Sequence, residues 1–383
     1  TFVTEGSWRG VFHQYNGTEI PFNFEIKGHS AETAKVFLIN GPEHFPAGAV
    51  TQKGDSLYIA FDQFDNEFAL KIADKKLSGV LRKKDHSGRA LPVSAKWGET
   101  FRFADNGEKP EADISGKYDV TFESSQGGEP TKKVGLFRQQ GNKLYATFLS
   151  ISGDSRYLEG IVQGSKFYLS SFIGSGPGYY TGTVTNGQLK GTIGNATFTA
   201  IKNPDAALPD PYKLTYLKEG YQSFDFSLPD ADGNKVSLKD EKFKNKVVIV
   251  TIGGTWCPNC MDEATFVAPW YKKNKNRGVE VVGVQFERKS DPSYVKNAME
   301  NFKHRFDIEY TEVFGGLADK KAVAESFPGL NTFLSFPTIL FIDKNGKVDK
   351  IYTGFTGPAT GEYYTQFIKE FNEEVDKLLK EKV

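Results

Sequence analysis

Cysteine is nearly absent from this chain: 383 residues contain two, Cys257 and Cys260. A zinc site built on that pair would lack ligands, because no second cysteine pair exists and the five histidines are scattered far from it. What remains for the pair is redox chemistry or a plain structural disulfide. Net charge is also missing, since 48 Lys+Arg balance 48 Asp+Glu. Binding to nucleic acid or to an anionic membrane surface rests on a clustered basic excess, and none is present. No apolar run approaches the roughly 18 residues that span a bilayer. A signal peptide is absent too, but the chain opens on Thr1 and reads as trimmed, so that absence says little about compartment. With 38% hydrophobic and 14% aromatic residues, the chain can bury good cores, and its length suggests two or three domains.

What is present converges on Trp256-Cys257-Pro258-Asn259-Cys260. The run Val247-Val248-Ile249-Val250-Thr251-Ile252 before it is short, continuous and β-branched, the pattern of a strand covered on both faces. Gly253-Gly254-Thr255 breaks that strand. Pro258 suits the first turn of a helix, which the sequence extends to about Tyr271. Cys257 is thereby set at a helix N-terminus, where the dipole and free N–H groups favour a thiolate, and it reads as the attacking sulfur. Cys260, one turn deeper, is close enough to bond with it and is expected to be the less exposed, resolving sulfur.

Four features in order resemble the thioredoxin fold, and more narrowly the TlpA/ResA-type thiol-disulfide oxidoreductases, over Phe224 to about Leu379. They are the entry hairpin Phe226-Ser227-Leu228-Pro229-Asp230 with Gly233 and Val236-Ser237-Leu238; the site Thr255-Trp256-Cys257-x-x-Cys260; Glu263; and Phe336-Pro337-Thr338 leading into a strand. The resemblance implies that Pro337 is a cis-proline beside the cysteines and that Phe336 and Thr338 flank a substrate's extended chain. It also implies support from Trp256, Pro258 and Asn259, and Glu263 as proton acceptor for Cys260. No cofactor and no metal are implied. Helices are expected over Pro292 to Phe306, Leu317 to Phe327 and Tyr363 to Leu379, and strands over Glu280 to Phe286, Ile339 to Ile342 and Val348 to Thr353.

The chain departs from that family at several positions. Thr251 stands where thioredoxin carries a buried acid, so a carboxylate for the site must come from elsewhere. The dipeptide Pro258-Asn259 replaces Gly-Pro, which bears on redox poise. Gly253-Gly254 replace aromatic residues, predicting a barer surface around the site. Phe314 to Leu334 is long for its place and reads equally as a partner-binding loop or a packed excursion.

Residues 1 to 202 read as a different, all-β protein, rich in Tyr, Phe, Gly and Thr in short alternating runs. Internal echoes suggest two related meanders, about 1–110 and 111–202, closing as a barrel or packing as a sandwich. Gly6, Trp8 and Phe12 match Gly116, Tyr118 and Phe122. Gly54, Leu57, Tyr58 and Phe61 match Gly141, Leu144, Tyr145 and Phe148, and Leu77-Ser78-Gly79 matches Leu189-Lys190-Gly191. A proline-rich connector, 203–220, precedes an α/β domain over 221–383.

The leading expectation is disulfide exchange with protein thiols and disulfides, fed by an upstream thiol donor, as a reductant or isomerase more than a strong oxidase. A thioredoxin-fold peroxidase is one alternative. A β-domain binding module with an auxiliary redox domain is the other. Two cysteines and no more suit an oxidising space, so the expected place is extracytoplasmic, periplasmic or cell-envelope, with a lipoprotein-like tether lost from the N-terminus.

Overall fold

A computed structural model describes residues 2–383, in two units: 2–148 with Ser155–Ala207, and Leu149–Asp154 with Leu208–Val383. The first unit is all β. Its first half forms an open, curled sheet of nine strands. In its second half the strand Thr131–Gln140 also pairs with Lys143–Ser150, and that pairing closes eight of nine strands into a barrel.

Both sheets place their opening strand between the second and the last, Gly6–His13 in one and Gly116–Ser124 in the other. The opening aromatics are held alike: Trp8 Nε1 donates to the Thr4 carbonyl at 2.9 Å and the Tyr118 hydroxyl to the Ile114 carbonyl at 2.8 Å. Leu77 and Leu189 also sit on corresponding strands, next to the last. The Gly54–Phe61 and Gly141–Phe148 runs do not, since one lies in the fourth strand from the sheet's sequence end and the other in the third from its start. Alternating Gly-aromatic patterns recur in any meander, and here they aligned two unlike strands.

In the second unit the strands are labelled β1 (Ser227–Pro229), β2 (Lys235–Ser237), β3 (Val247–Gly253), β4 (Val279–Glu287), β5 (Thr311–Leu317), β6 (Thr338–Ile342) and β7 (Val348–Thr353). The helices are α1 (Pro258–Asn274), α2 (Pro292–Phe306), α3 (Lys320–Ser326) and α4 (Glu362–Lys380). The hairpin β1–β2 stands apart from a five-stranded sheet ordered β5-β4-β3-β6-β7. β3 and β4 run parallel, as do β4 and β5, while β6 and β7 are antiparallel additions. This is the thioredoxin plan. All seven residues of β3 are buried. Each Val or Ile there contributes roughly 1.5–3 kcal/mol by leaving water, which fixes the strand that ends at the cysteines.

One expectation needs correction. The helix placed over Leu317 to Phe327 is shorter: β5 continues through Leu317, and α3 begins only at Lys320, capped by Asp319 Oδ1 accepting from the Lys321 N–H at 2.9 Å. Gly315 permits that longer strand, because a Cβ there would lie 2.6 Å from the Phe286 ring. Of the two readings left open for Phe314 to Leu334, the packed excursion is the one found, with Phe327, Leu330 and Phe333 in the core under the sheet. Among the described residues no helix is long and apolar enough to cross a membrane.

Candidate active site

β3 delivers the chain to the start of α1, and Cys257 is the helix N-cap, with Pro258 in the first turn. Its sulfur accepts from the Cys260 N–H at 3.3 Å, satisfying one of the donors a helix start leaves open. The Cys257 thiol donates to the Phe336 carbonyl at 3.6 Å, and the Phe336–Pro337 peptide bond is cis. Both cysteines are free. The expected difference in exposure is absent, since each is 4% exposed. Trp256 leans across the opening, its Nε1 donating to the Phe286 carbonyl at 2.8 Å and its ring edge-on to Phe336 at 5.5 Å.

Gly253 and Gly254 are buried, which overturns the barer surface expected of them. A Cβ on Gly253 would stand 3.0 Å from Cys260 Sγ, and one on Gly254 would strike Trp256 Nε1 at 2.3 Å and the Phe286 carbonyl at 2.6 Å. Glycine here serves close approach: the Cys260 sulfur sits directly on the strand end. Thr338 is completely buried, its hydroxyl donating to the Ser335 carbonyl at 2.7 Å, so its side chain braces the proline loop.

Glu263, one turn beyond Cys260 on α1, is 5% exposed, and its Oε2 has no hydrogen-bond partner. Burial pushes this carboxyl well above its ordinary range; a negative charge on Cys257 adds to that, and a bond from Thr251 opposes it. The Cys260 thiol is likewise pushed well up, first by burial, then by its bond to Cys257 and by the charges of Cys257 and Glu263, against a backbone hydrogen bond at Gly254. Thr251, found where an acid was missing, therefore serves as partner to the carboxyl that α1 supplies.

Sequence reasoning missed two supports. Glu287, at the end of β4, is 1% exposed and accepts from the Thr255 N–H at 2.9 Å and from the Thr255 hydroxyl, fixing the turn before Trp256. The sequence carried only a partial signal: Gly283, Gln285 and Glu287 alternate along the end of a strand whose one other charged residue, Glu280, lies on the opposite face. The other support is Leu149–Asp154, whose membership of this unit nothing nearby in sequence announces. Asn259 Nδ2 donates to the Ser152 carbonyl and Asn259 Oδ1 accepts from the Asp154 N–H, both at 3.4 Å. Asp154 Oδ2 accepts from the Gly357 N–H at 2.8 Å, and Gly153 bridges Phe355 in parallel. Among the described residues no cluster of three or more His, Cys, Asp or Glu could hold a metal ion.

Residues 220–351 match the AhpC/TSA family. The thiol-disulfide oxidoreductase ResA of Geobacillus kaustophilus is 30% identical over 155 residues, covering 40% of this chain and 80% of that protein. ResA of Geobacillus thermodenitrificans is 31% identical over 140 residues, 37% of this chain and 72% of that protein. Among solved structures, a putative thiol:disulfide interchange protein DsbE from Chlorobium tepidum aligns with 28% identity and a TM-score of 0.31, over 40% of this chain and 98% of that one. The chain belongs to the ResA-like family of thioredoxin-fold thiol-disulfide oxidoreductases.

Proposed function

We propose that Cys257 and Cys260 form a dithiol that reduces or rearranges disulfides in protein partners outside the cytoplasm. The observation that carries this reading is the stacking of Cys257 at the N-cap, Cys260 one turn deeper and the buried Glu263 below both. Cys257, as thiolate, attacks a partner disulfide; a Cys257–partner S–S bond forms and the partner's other sulfur leaves as a thiolate. Cys260 passes its proton to the Glu263 carboxylate and attacks Cys257 Sγ. The Cys257–Cys260 disulfide forms and the partner's second thiol departs, two electrons having moved to the partner.

The electrostatics supply an order to these steps. A negative Cys257 raises both the Cys260 thiol and the Glu263 carboxyl. Forming the mixed disulfide removes that charge. Both groups then lose protons more readily, so the resolving pair is readied by the first attack. Asn259 brings no positive charge to the dithiol, which favours a reductant or isomerase over a strong oxidase. Membrane association and an upstream thiol donor belong to the same reading.

Trapping tests it. A Cys260→Ser variant should accumulate mixed disulfides with envelope proteins through Cys257, recovered by mass spectrometry, while Cys257→Ser should trap none. The match to the AhpC/TSA family makes hydrogen peroxide the competing substrate. If peroxide is turned over faster than a protein disulfide by the wild-type chain, the peroxidase reading replaces this one.

A further inference from the structure

Leu149–Asp154 belongs to the second unit and is the tip of a hairpin there. Leu149 pairs with Asp154 and Ser150 with Gly153, which leaves Ile151 and Ser152 as the turn. The Ser152 carbonyl accepts from Asn259 Nδ2 at 3.4 Å, from the Phe355 N–H at 3.3 Å and from the Ser335 hydroxyl at 3.4 Å. These donors stand at the start of α1, just after β7 and in the loop of the cis-proline. Two glycines make the seat a close one. A Cβ on Gly354 would lie 2.2 Å from the Ile151 carbonyl oxygen, and one on Gly153 would lie 2.5 Å from Asn259 Nδ2 and 2.6 Å from the Phe355 carbonyl oxygen. Both glycines have positive φ, 79° and 142°, so neither position suits a side chain. The tip is thus fitted to the site from two sides. Asn259 and the Gly357 N–H are spent on it, and what it presents outward is its apex, Ile151, 37% exposed.

Trp256 forms the opposite wall. β3, which delivers Cys257, runs between β4 and β6; the hairpin meets the chain leaving β7, whereas Trp256 Nε1 bonds to the Phe286 carbonyl of β4. Over the indole ring stands the exposed Arg288, its guanidinium 5.1 Å from the ring centroid. Phe336 links the two walls: its ring meets Trp256, its carbonyl accepts from the Cys257 thiol, and the neighbouring Ser335 reaches the hairpin. We propose that Ile151 and Arg288 are specificity-determining residues at the two ends of the groove that takes the partner. The groove selects an extended chain with an apolar residue on one side of its disulfide-bonded cysteine and a carboxylate on the other. This rests on the dithiol reading above. An extended chain is held by its backbone and told apart by the side chains that flank it. Contact with Ile151 removes apolar surface from water, and a carboxylate at Arg288 speeds encounter in a salt-dependent way.

The test uses the full chain in single turnover. Ellman's reagent first checks the dithiol: Cys257 attack releases one thionitrobenzoate and Cys260 resolution a second, so stopped-flow absorbance reads both steps. Peptides are then supplied as mixed disulfides with thionitrobenzoate, their cysteine set in Leu-Cys-Asp, Asp-Cys-Leu or Gly-Cys-Gly. The Cys257 thiolate bonds to the peptide sulfur and thionitrobenzoate leaves, so its release times recognition of the peptide. One of the two Leu/Asp orders should react about tenfold faster than Gly-Cys-Gly. Ile151→Ser should cut that ratio to about threefold, the share an exposed charge pair supplies, and Ile151→Leu should keep it. Arg288→Gln should lower the ratio and remove its dependence on salt. Equal wild-type rates for the three peptides, or a ratio that survives Ile151→Ser, overturn the proposal while the dithiol stands. Faster reaction of Ile151→Ser with every peptide also overturns it, because the hairpin would then be a cap over the site. If Ellman's reagent draws no second release from the wild-type chain, the dithiol reading fails and the groove assignment fails with it.

Discussion

In the proposed mechanism Glu263 carries most of the site's proton chemistry, and the consequence is kinetic asymmetry between the two sulfurs. Glu263→Gln keeps the size of the side chain and removes the base. Attack by Cys257 should stay within about twofold of wild type, while resolution by Cys260 should slow by about 10²-fold or less, the lower end of acid–base effects. Two-step thionitrobenzoate release measures both, and equal slowing of the two would mean a packing defect instead. This residue was legible in the sequence because helical geometry makes an offset of three a shared face, whatever the rest of the fold does. Glu312 and Glu287 were not. Each stands on a strand whose neighbours in sequence do not reveal which strand lies alongside, and the alternation of Gly283, Gln285 and Glu287 gains meaning only once β3 and β5 flank it. The burial of Thr338 was hidden for the same reason, since a residue after a loop proline can point either way.

At the scale of the element, β3 and α1 meet with no side chain between them at Gly253. Gly253→Ala would push its Cβ to 3.0 Å from Cys260 Sγ, and strand and helix would have to part by a few tenths of an ångström. Destabilisation of about 1 kcal/mol is the expected cost of such overpacking, read as a lower urea midpoint. Resolution should slow more than first attack, because the displaced sulfur is Cys260. Unchanged stability together with unchanged resolution would show that the close approach is tolerated freely. Elements with one strong local signal were legible: the apolar run of β3, the proline at the start of α1, the Asn-Gly turn between β6 and β7. α3 was misjudged because Gly315-Gly316 reads as a break, whereas the strand uses it to slide past Phe286.

Across the whole molecule, stability should depend on pH through the buried acid of β5. A carboxyl whose folded value is raised stabilises the folded state below its unfolded value and loses that contribution as pH rises through the folded one. Glu312 moves from 4.5 to about 7, which amounts to about 3 kcal/mol lost between roughly pH 4.5 and 7. Urea unfolding at pH 5 and pH 8 should show a larger drop for wild type than for Glu312→Gln, and equal drops would place the pH dependence elsewhere. The division of the chain into an all-β half and an α/β half was visible from its alternating runs and the proline-rich connector, and the family of the second from the motifs around Cys257, Cys260, Glu263 and Pro337. The closed form of the second β-sheet was not, because pairing between Thr131–Gln140 and Lys143–Ser150 depends on curvature that alternation does not encode. One feature alters how the molecule can be handled. The second unit is not a single stretch of chain, since Leu149–Asp154 belongs to it. Expressing Leu208–Val383 by itself would leave Asn259, Ser335 and the Gly357 N–H without their partners from Ser152 and Asp154. A gene fragment cut at that boundary should yield a redox domain that melts several degrees below the same domain in the full chain, and adding the missing hexapeptide as a graft, not lengthening the N-terminus, is the way to restore it.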